Sequence, residues 1–171
     1  MDSRDKLLIQ SHFALVWWAE ALTSNYFQTE AFKKLNFSDA FVHDRLMDKG
    51  GAAGALVAPS LYVALVLPRE AIFDQYKSDF KRLDNFISTN AHVLENTYPS
   101  ANGIAYTRHL RNATAHARLA IFDAGIEFED KDTRNGWGLR ARIDFRTLGS
   151  LVQELNLLLR KHVQSLQSAG A

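Results

Sequence analysis

Between Glu95 and Asp123 the chain carries no acidic residue, while Arg108, Arg111 and Arg118 stand there with His109 and His116. Such a cluster suits a polyanion. The chain as a whole does not, because 20 Lys+Arg against 19 Asp+Glu leave a formal charge of +1, so any attraction for nucleic acid must be local. Asn112 and His116 are four residues apart and are neighbours on one side of a helix. Arg111 is five from His116, about 140° around at roughly 100° per residue. Only its long side chain lets the guanidinium approach a ligand of the imidazole.

The element that must hold these residues is a helix predicted from about Ala101 to Ile121. Tyr106, Leu110, Ala113, Ala117 and Ile121 form its apolar stripe. Arg108, Arg111, Asn112 and His116 fall on the opposite side with Ile104, Ala115 and Leu119 among them. A mixed face of this kind predicts a covered surface, met by another part of the chain or by a second copy.

Further elements follow from periodicity. Leu8, Leu15, Trp18, Leu22 and Tyr26 predict a first helix from about Asp5 to Phe27. Ser38 can cap a second, short helix ending at Gly50-Gly51. A third opens near Ser60, is kinked or restarted by Pro68, and continues through Phe73, Tyr76, Phe80, Leu83 and Ile87 to about Ser88. Thr89-Asn90 predicts one more short helical turn before Pro99. After the motif helix the period changes to two: Ile126 and Phe128 alternate with Glu127 and Glu129, and beyond Asn135-Gly136, Leu139, Ala141, Ile143 and Phe145 alternate with Arg140, Arg142 and Asp144. This predicts a β-hairpin with glutamates set across from arginines, a modest structural contribution. Asp144 can cap a last helix with Leu148, Leu151, Leu155, Leu158 and Leu159 on its apolar face. The expected fold is an all-α helical bundle with a C-terminal β-hairpin inserted before the last helix, in a single domain spanning 1–171.

Composition excludes several classes. No cysteine is present, which removes disulfides, thiol nucleophiles and the commonest structural zinc ligand. His12, His43, His92 and His162 are scattered singly, so no metal and no cofactor are expected. The uncharged run from Gly50 to Pro68 approaches membrane-span length, but its glycines and Pro59 leave only Leu61 to Leu67 strongly apolar; a loop and a buried helix are expected, with no membrane association. The mixed charge of Met1 to Lys6 shows no export signal, and a cytoplasmic location is expected. Trp17-Trp18 fits core packing within a helical stripe, and Gly50-Gly51-Ala52-Ala53-Gly54 lacks the Gly-Lys-Ser/Thr of a phosphate loop.

The segment Arg111-Asn112-Ala113-Thr114-Ala115-His116 resembles the HEPN pattern of Arg, a polar residue that is often Asn, and His after a short spacer. The downstream order of motif helix, hairpin and closing helix resembles that family too, most clearly from Arg108 to His162. The resemblance implies a metal-independent ribonuclease acting on RNA as a homodimer through the motif helix. It implies catalytic roles for Arg111, Asn112 and His116: His116 transferring a proton, Arg111 supporting the phosphorane, and Asn112 orienting the phosphate or the imidazole. Arg108, His109 and Arg118 would contact RNA, and a toxin or antiviral defence role would follow. Some family toxins carry, two residues after the His, a tyrosine that a regulatory partner protein modifies; this chain has Arg118 there. The same fold occurs in silent dimerisation or partner-binding modules. In that alternative His116 is a structural helix-end residue and Arg111 pairs with Glu127 or Glu129.

Overall fold

The computed structural model describes residues 3–49, 57–98 and 103–169. Helix α1 (Ser3–Thr23) buries Leu8 and Leu15. It ends short of Phe27 because Asn25 turns left-handed at φ 52° and leads into a 3-10 segment, Tyr26–Gln28. Trp18 and Tyr26 therefore pack in a small second cluster around Ala21, Phe27 and Phe32. The side chain of Leu22 and the run Gly50 to Gly54 lie outside the described residues.

After α2 (Glu30–Lys33), helix α3 (Ala40–Lys49) is capped by Asp39 instead of Ser38: the carboxylate lies next to the first turn and accepts the Val42 amide at 3.2 Å. α4 (Val57–Leu61), a π-helical turn (Tyr62–Val66) and α5 (Leu67–Ile72) follow one another directly. Pro68 comes directly after the π-helical turn, where the regular i→i−4 ladder is already interrupted, so the helical run passes its missing amide without ending. The chain then turns at 73–76 before α6 (Lys77–Asn90), so the single long helix expected there is two.

The residues after α6 are a strand, β1 (His92–Asn96), where a helical turn was expected. The reason is long-range: β1 pairs antiparallel with β4, His92 opposite Arg142 and Asn96 opposite Leu139. Pro99 lies outside the described residues. β2 (Leu119–Phe122), β3 (Gly125–Lys131) and β4 (Gly138–Asp144) complete an antiparallel sheet of order β1-β4-β3-β2. The fold is thus mostly helical with a four-stranded sheet, where a hairpin alone was expected. Glu127 faces Arg142 in register and is also bridged by Arg140. Gly125 starts β3 against the Ile143 carbonyl, where any Cβ would collide with that oxygen. Helix α8 (Phe145–Ala169) starts as expected, with Asp144 accepting the Thr147 amide at 2.7 Å.

One core joins these elements. Leu8, Leu65, Phe80, Leu110, Phe128, Ile143, Leu151 and Leu155 are all buried in it, and side chains of this size stabilise by about 1.5–3 kcal/mol each when fully buried. Among the described residues no helix is long and apolar enough to cross a membrane.

The motif helix, α7 (Tyr106–Ala115), is shorter than expected at both ends. Ala117 takes φ 53°, its amide reaches the Thr114 carbonyl at 3.2 Å, and the Arg118 amide reaches the Ala113 carbonyl at 2.8 Å. This paired closure terminates the helix and releases residues 119–122 into β2. Ile104 and Leu119 therefore lie off the helix and pack against the core. The mixed second face does not exist, and with it goes the surface argument for a covered helix. Ala117→Gly tests the helix end: glycine relieves a left-handed alanine, so the unfolding midpoint rises by the equivalent of about 0.5–1 kcal/mol. An unchanged or lower midpoint in denaturant melts would contradict this.

Candidate functional site

Three segments build the site. Along β3, Ile126, Phe128 and Asp130 share the inward face because strand side chains alternate, and all three are buried. The third is a carboxylate placed where the interior would otherwise be apolar. Helix α7 lays His109 and Asn112 over it. His109 Nδ1 lies 2.8 Å from Asp130 Oδ2, and Asn112 Nδ2 donates to the same oxygen at 3.0 Å. A carboxylate acceptor puts the His109 proton on Nδ1. Burial pushes the Asp130 carboxyl up, but hydrogen bonds from His109 and Asn112, with the charges of His109 and Arg118, outweigh it and hold the group below its ordinary range.

The chain of contacts continues outward. Arg111 donates from Nη1 to Asn112 Oδ1 at 2.8 Å and from Nη2 to the Glu70 carboxylate on α5. Glu70, Arg111, Asn112, Asp130 and His109 therefore form one continuous polar relay. Arg111 does not pair with Glu127, which Arg140 and Arg142 hold. The start of α7 is fixed from α6, where Asp84 Oδ1 accepts the Thr107 amide at 2.7 Å. Burial raises the Asp84 carboxyl above its usual range despite that bond and despite Arg69.

Two clefts open along this relay. One of about 280 Å³ is lined by Arg69, Glu70, Phe73, Arg108, Arg111 and Asn112. The other, of about 270 Å³, is lined by Tyr98, Arg108, His109, Asn112 and Asp130, with the loop from Lys131 to Arg134. Arg108 and Asn112 belong to both, so the clefts meet along one side of α7. The Tyr98 ring lies 4.4 Å from the His109 ring, and Trp137 lies edge-on to Tyr98 at 6.2 Å. Burial, with Asp130 and Asp132 nearby, raises the Tyr98 phenol. It therefore remains a donor at neutral pH.

The residues named from sequence are not all brought together. Arg111, Asn112 and Arg108 share the first cleft. His109 is buried beneath Tyr98 and paired to Asp130, so it does not stand on an outer face as an RNA contact requires. Arg118 donates to the Lys131 carbonyl at 3.2 Å and tethers the end of α7 to β3. His116 caps the end of α7 with its ring exposed, outside the lining of both clefts. Among the described residues that ring makes no hydrogen bond. Sequence reasoning missed Asp130, Glu70, Arg69 and Tyr98. Asp130 was signalled by the period-two extension of Ile126 and Phe128; the other three carried no local signal. Among the described residues, no three His, Asp or Glu side chains converge as a set that could hold a metal ion.

The family model described as HEPN pEK499 p136 matches residues 15–166. The match spans α7, the sheet and nearly all of α8. No curated protein and no solved structure matches the chain.

Proposed function

The chain belongs to the HEPN pEK499 p136 family, and on that premise we propose that it is a metal-independent endoribonuclease. The observation that carries this reading is Arg111 and Asn112, locked by Asp130, facing an open cationic cleft one turn before an exposed His116. In the reaction, the RNA 2′-oxygen attacks the adjacent phosphorus, the P–O5′ bond breaks, and the products are a 2′,3′-cyclic phosphate and a 5′-hydroxyl. His116 transfers one of the two protons involved. Arg111 meets the charge that builds on the phosphorane oxygens, and such preorganised donors are worth about 10²–10³-fold. Asn112 orients the phosphate, and Arg108 holds a flanking one.

Within one chain the Arg111 guanidinium is held by Glu70 and Asn112, and His116 lies outside the cleft that Arg111 lines. A homodimer through the exposed end of α7 resolves the separation by setting His116 of one copy near Arg111 of the other. A toxin or defence role follows from unchecked RNA cleavage, with a regulatory protein as partner. The separation equally favours a second reading, a silent dimerisation or partner-binding module.

One experiment divides the two. Purified protein incubated with total RNA in excess EDTA yields fragments ending in cyclic phosphate, at a solution mass of two chains by light scattering. Intact RNA at every protein concentration, or cleavage that EDTA abolishes and magnesium restores, counts against the nuclease.

A further inference from the structure

Three arginines enter the cleft between α5 and α7, and their partners are unequal. Arg69 lies over Phe73 at 4.1 Å and near Phe80 at 5.4 Å, and its Nη1 is buried with no hydrogen-bond partner among the described residues. Arg108 is exposed and, among the described residues, its side chain has neither an ion pair nor a hydrogen bond. Arg111 has Glu70, a side chain about half exposed. Burial disfavours the Arg69 guanidinium; Asp84 opposes that, and the charges of Arg108 and Arg111 add to it. Converging like charges around an open volume leave a place for an anion.

The size and lining restrict which anion. At about 280 Å³ the cleft lies just under the usual range for drug-sized sites and has ample room for a phosphate group. Its one ring, Phe73, is already covered by Arg69. Three guanidinium groups offer more donors than a planar carboxylate accepts, and they match a tetrahedral oxyanion.

We propose that this cleft is a phosphate site held by Arg69, Arg108 and Arg111, and that Glu70 occupies Arg111 until phosphate displaces it. Phosphate binding stands without any cleavage; only its identity as an RNA phosphate rests on the nuclease reading. Glu70 then acts as an internal competitor, and the entry of phosphate frees Arg111 from α5.

Calorimetric titration with inorganic phosphate tests the site, and RNA of one sequence with and without a 5′-phosphate tests the source. Glu70→Gln removes the competitor and tightens phosphate binding several-fold. Arg108→Gln and Arg69→Gln each weaken it by about tenfold, the worth of one charge-assisted hydrogen bond. Arg108 and Glu70 are exposed, so those two variants report even if Arg69→Gln fails to fold. Binding that is unchanged in Arg108→Gln, or weakened in Glu70→Gln, overturns the proposal. A gain from the 5′-phosphate points to a terminal phosphate, and equal binding of both RNAs points to a backbone phosphate. A protein that binds phosphate through these residues yet cuts no RNA removes the nuclease reading and leaves this site standing.

Discussion

His116→Ala lowers RNA cleavage by about 10²–10⁴-fold, the usual contribution of a positioned general acid or base, while the fold remains intact. The ring is exposed at the helix end and makes no hydrogen bond among the described residues, the backbone amide bonds to the Asn112 carbonyl at 3.0 Å, and surface changes of this kind stay within about 0.5 kcal/mol. Loss of cleavage with an unchanged melting curve therefore isolates chemistry from structure. Arg111→Ala also cuts cleavage, but it frees Asn112 and Glu70 as well, so its melt is less clean. His109→Ala serves as the contrasting control: its buried pairing with Asp130 predicts a lowered midpoint that His116→Ala lacks. If His116→Ala cuts RNA at the wild-type rate, the proton transfer assigned to it is wrong.

Asp130→Ala has the largest expected effect on stability. It leaves His109 Nδ1 and Asn112 Nδ2 without their shared acceptor. Each buried group that loses its partner costs about 1–3 kcal/mol, and Asn112 is only half-buried, so the sum is roughly 2–4 kcal/mol. For a chain of this length that lowers the midpoint by roughly 5–15 °C, at about 2–4 °C per kcal/mol. The effect depends on pH in a definite direction. The Asp130 carboxyl is depressed in the folded state, so its contribution is fully present above the unfolded value of about 3.9. It is lost as pH falls through the lower folded value. The gap between wild type and Asp130→Ala is therefore full at neutral pH and closes in acid below about pH 4. A gap that is absent at pH 7, or that widens in acid, would show that Asp130 is not the anchor of the relay. Asp130→Asn, which keeps an acceptor oxygen, falls less far.

Much of this architecture is written locally. Asp144 caps α8 because a carboxylate before an apolar-periodic run meets free amides wherever it occurs. Leu148, Leu151, Leu155, Leu158 and Leu159 are buried because their spacing leaves one apolar face. The strands β3 and β4 follow from apolar–polar alternation, from Ile126 to Glu129 and from Leu139 to Phe145, and the Arg111-Asn112-x-x-x-His116 pattern stands within a stretch that lacks acidic residues. These are properties of neighbours along the chain, and periodicity reports them.

What tertiary structure alone decided lies where distant segments supply the partner. α7 stops at Ala115 through a left-handed alanine with no glycine or proline to announce it, because pairing of residues 119–122 with β3 rewards the strand. β1 is a strand only because β4 offers it an edge. Arg111 turns to Glu70, 41 residues earlier, and His109 to Asp130, 21 residues later. The windows of about 11–18 residues in which periodicity is read contain neither pair. The sequence alone placed Arg111 and His116 on one helix; the reach of Glu70 from α5 and the left-handed stop at Ala117 decided that, within one chain, Arg111 lines the cleft while His116 stands at the helix end outside it.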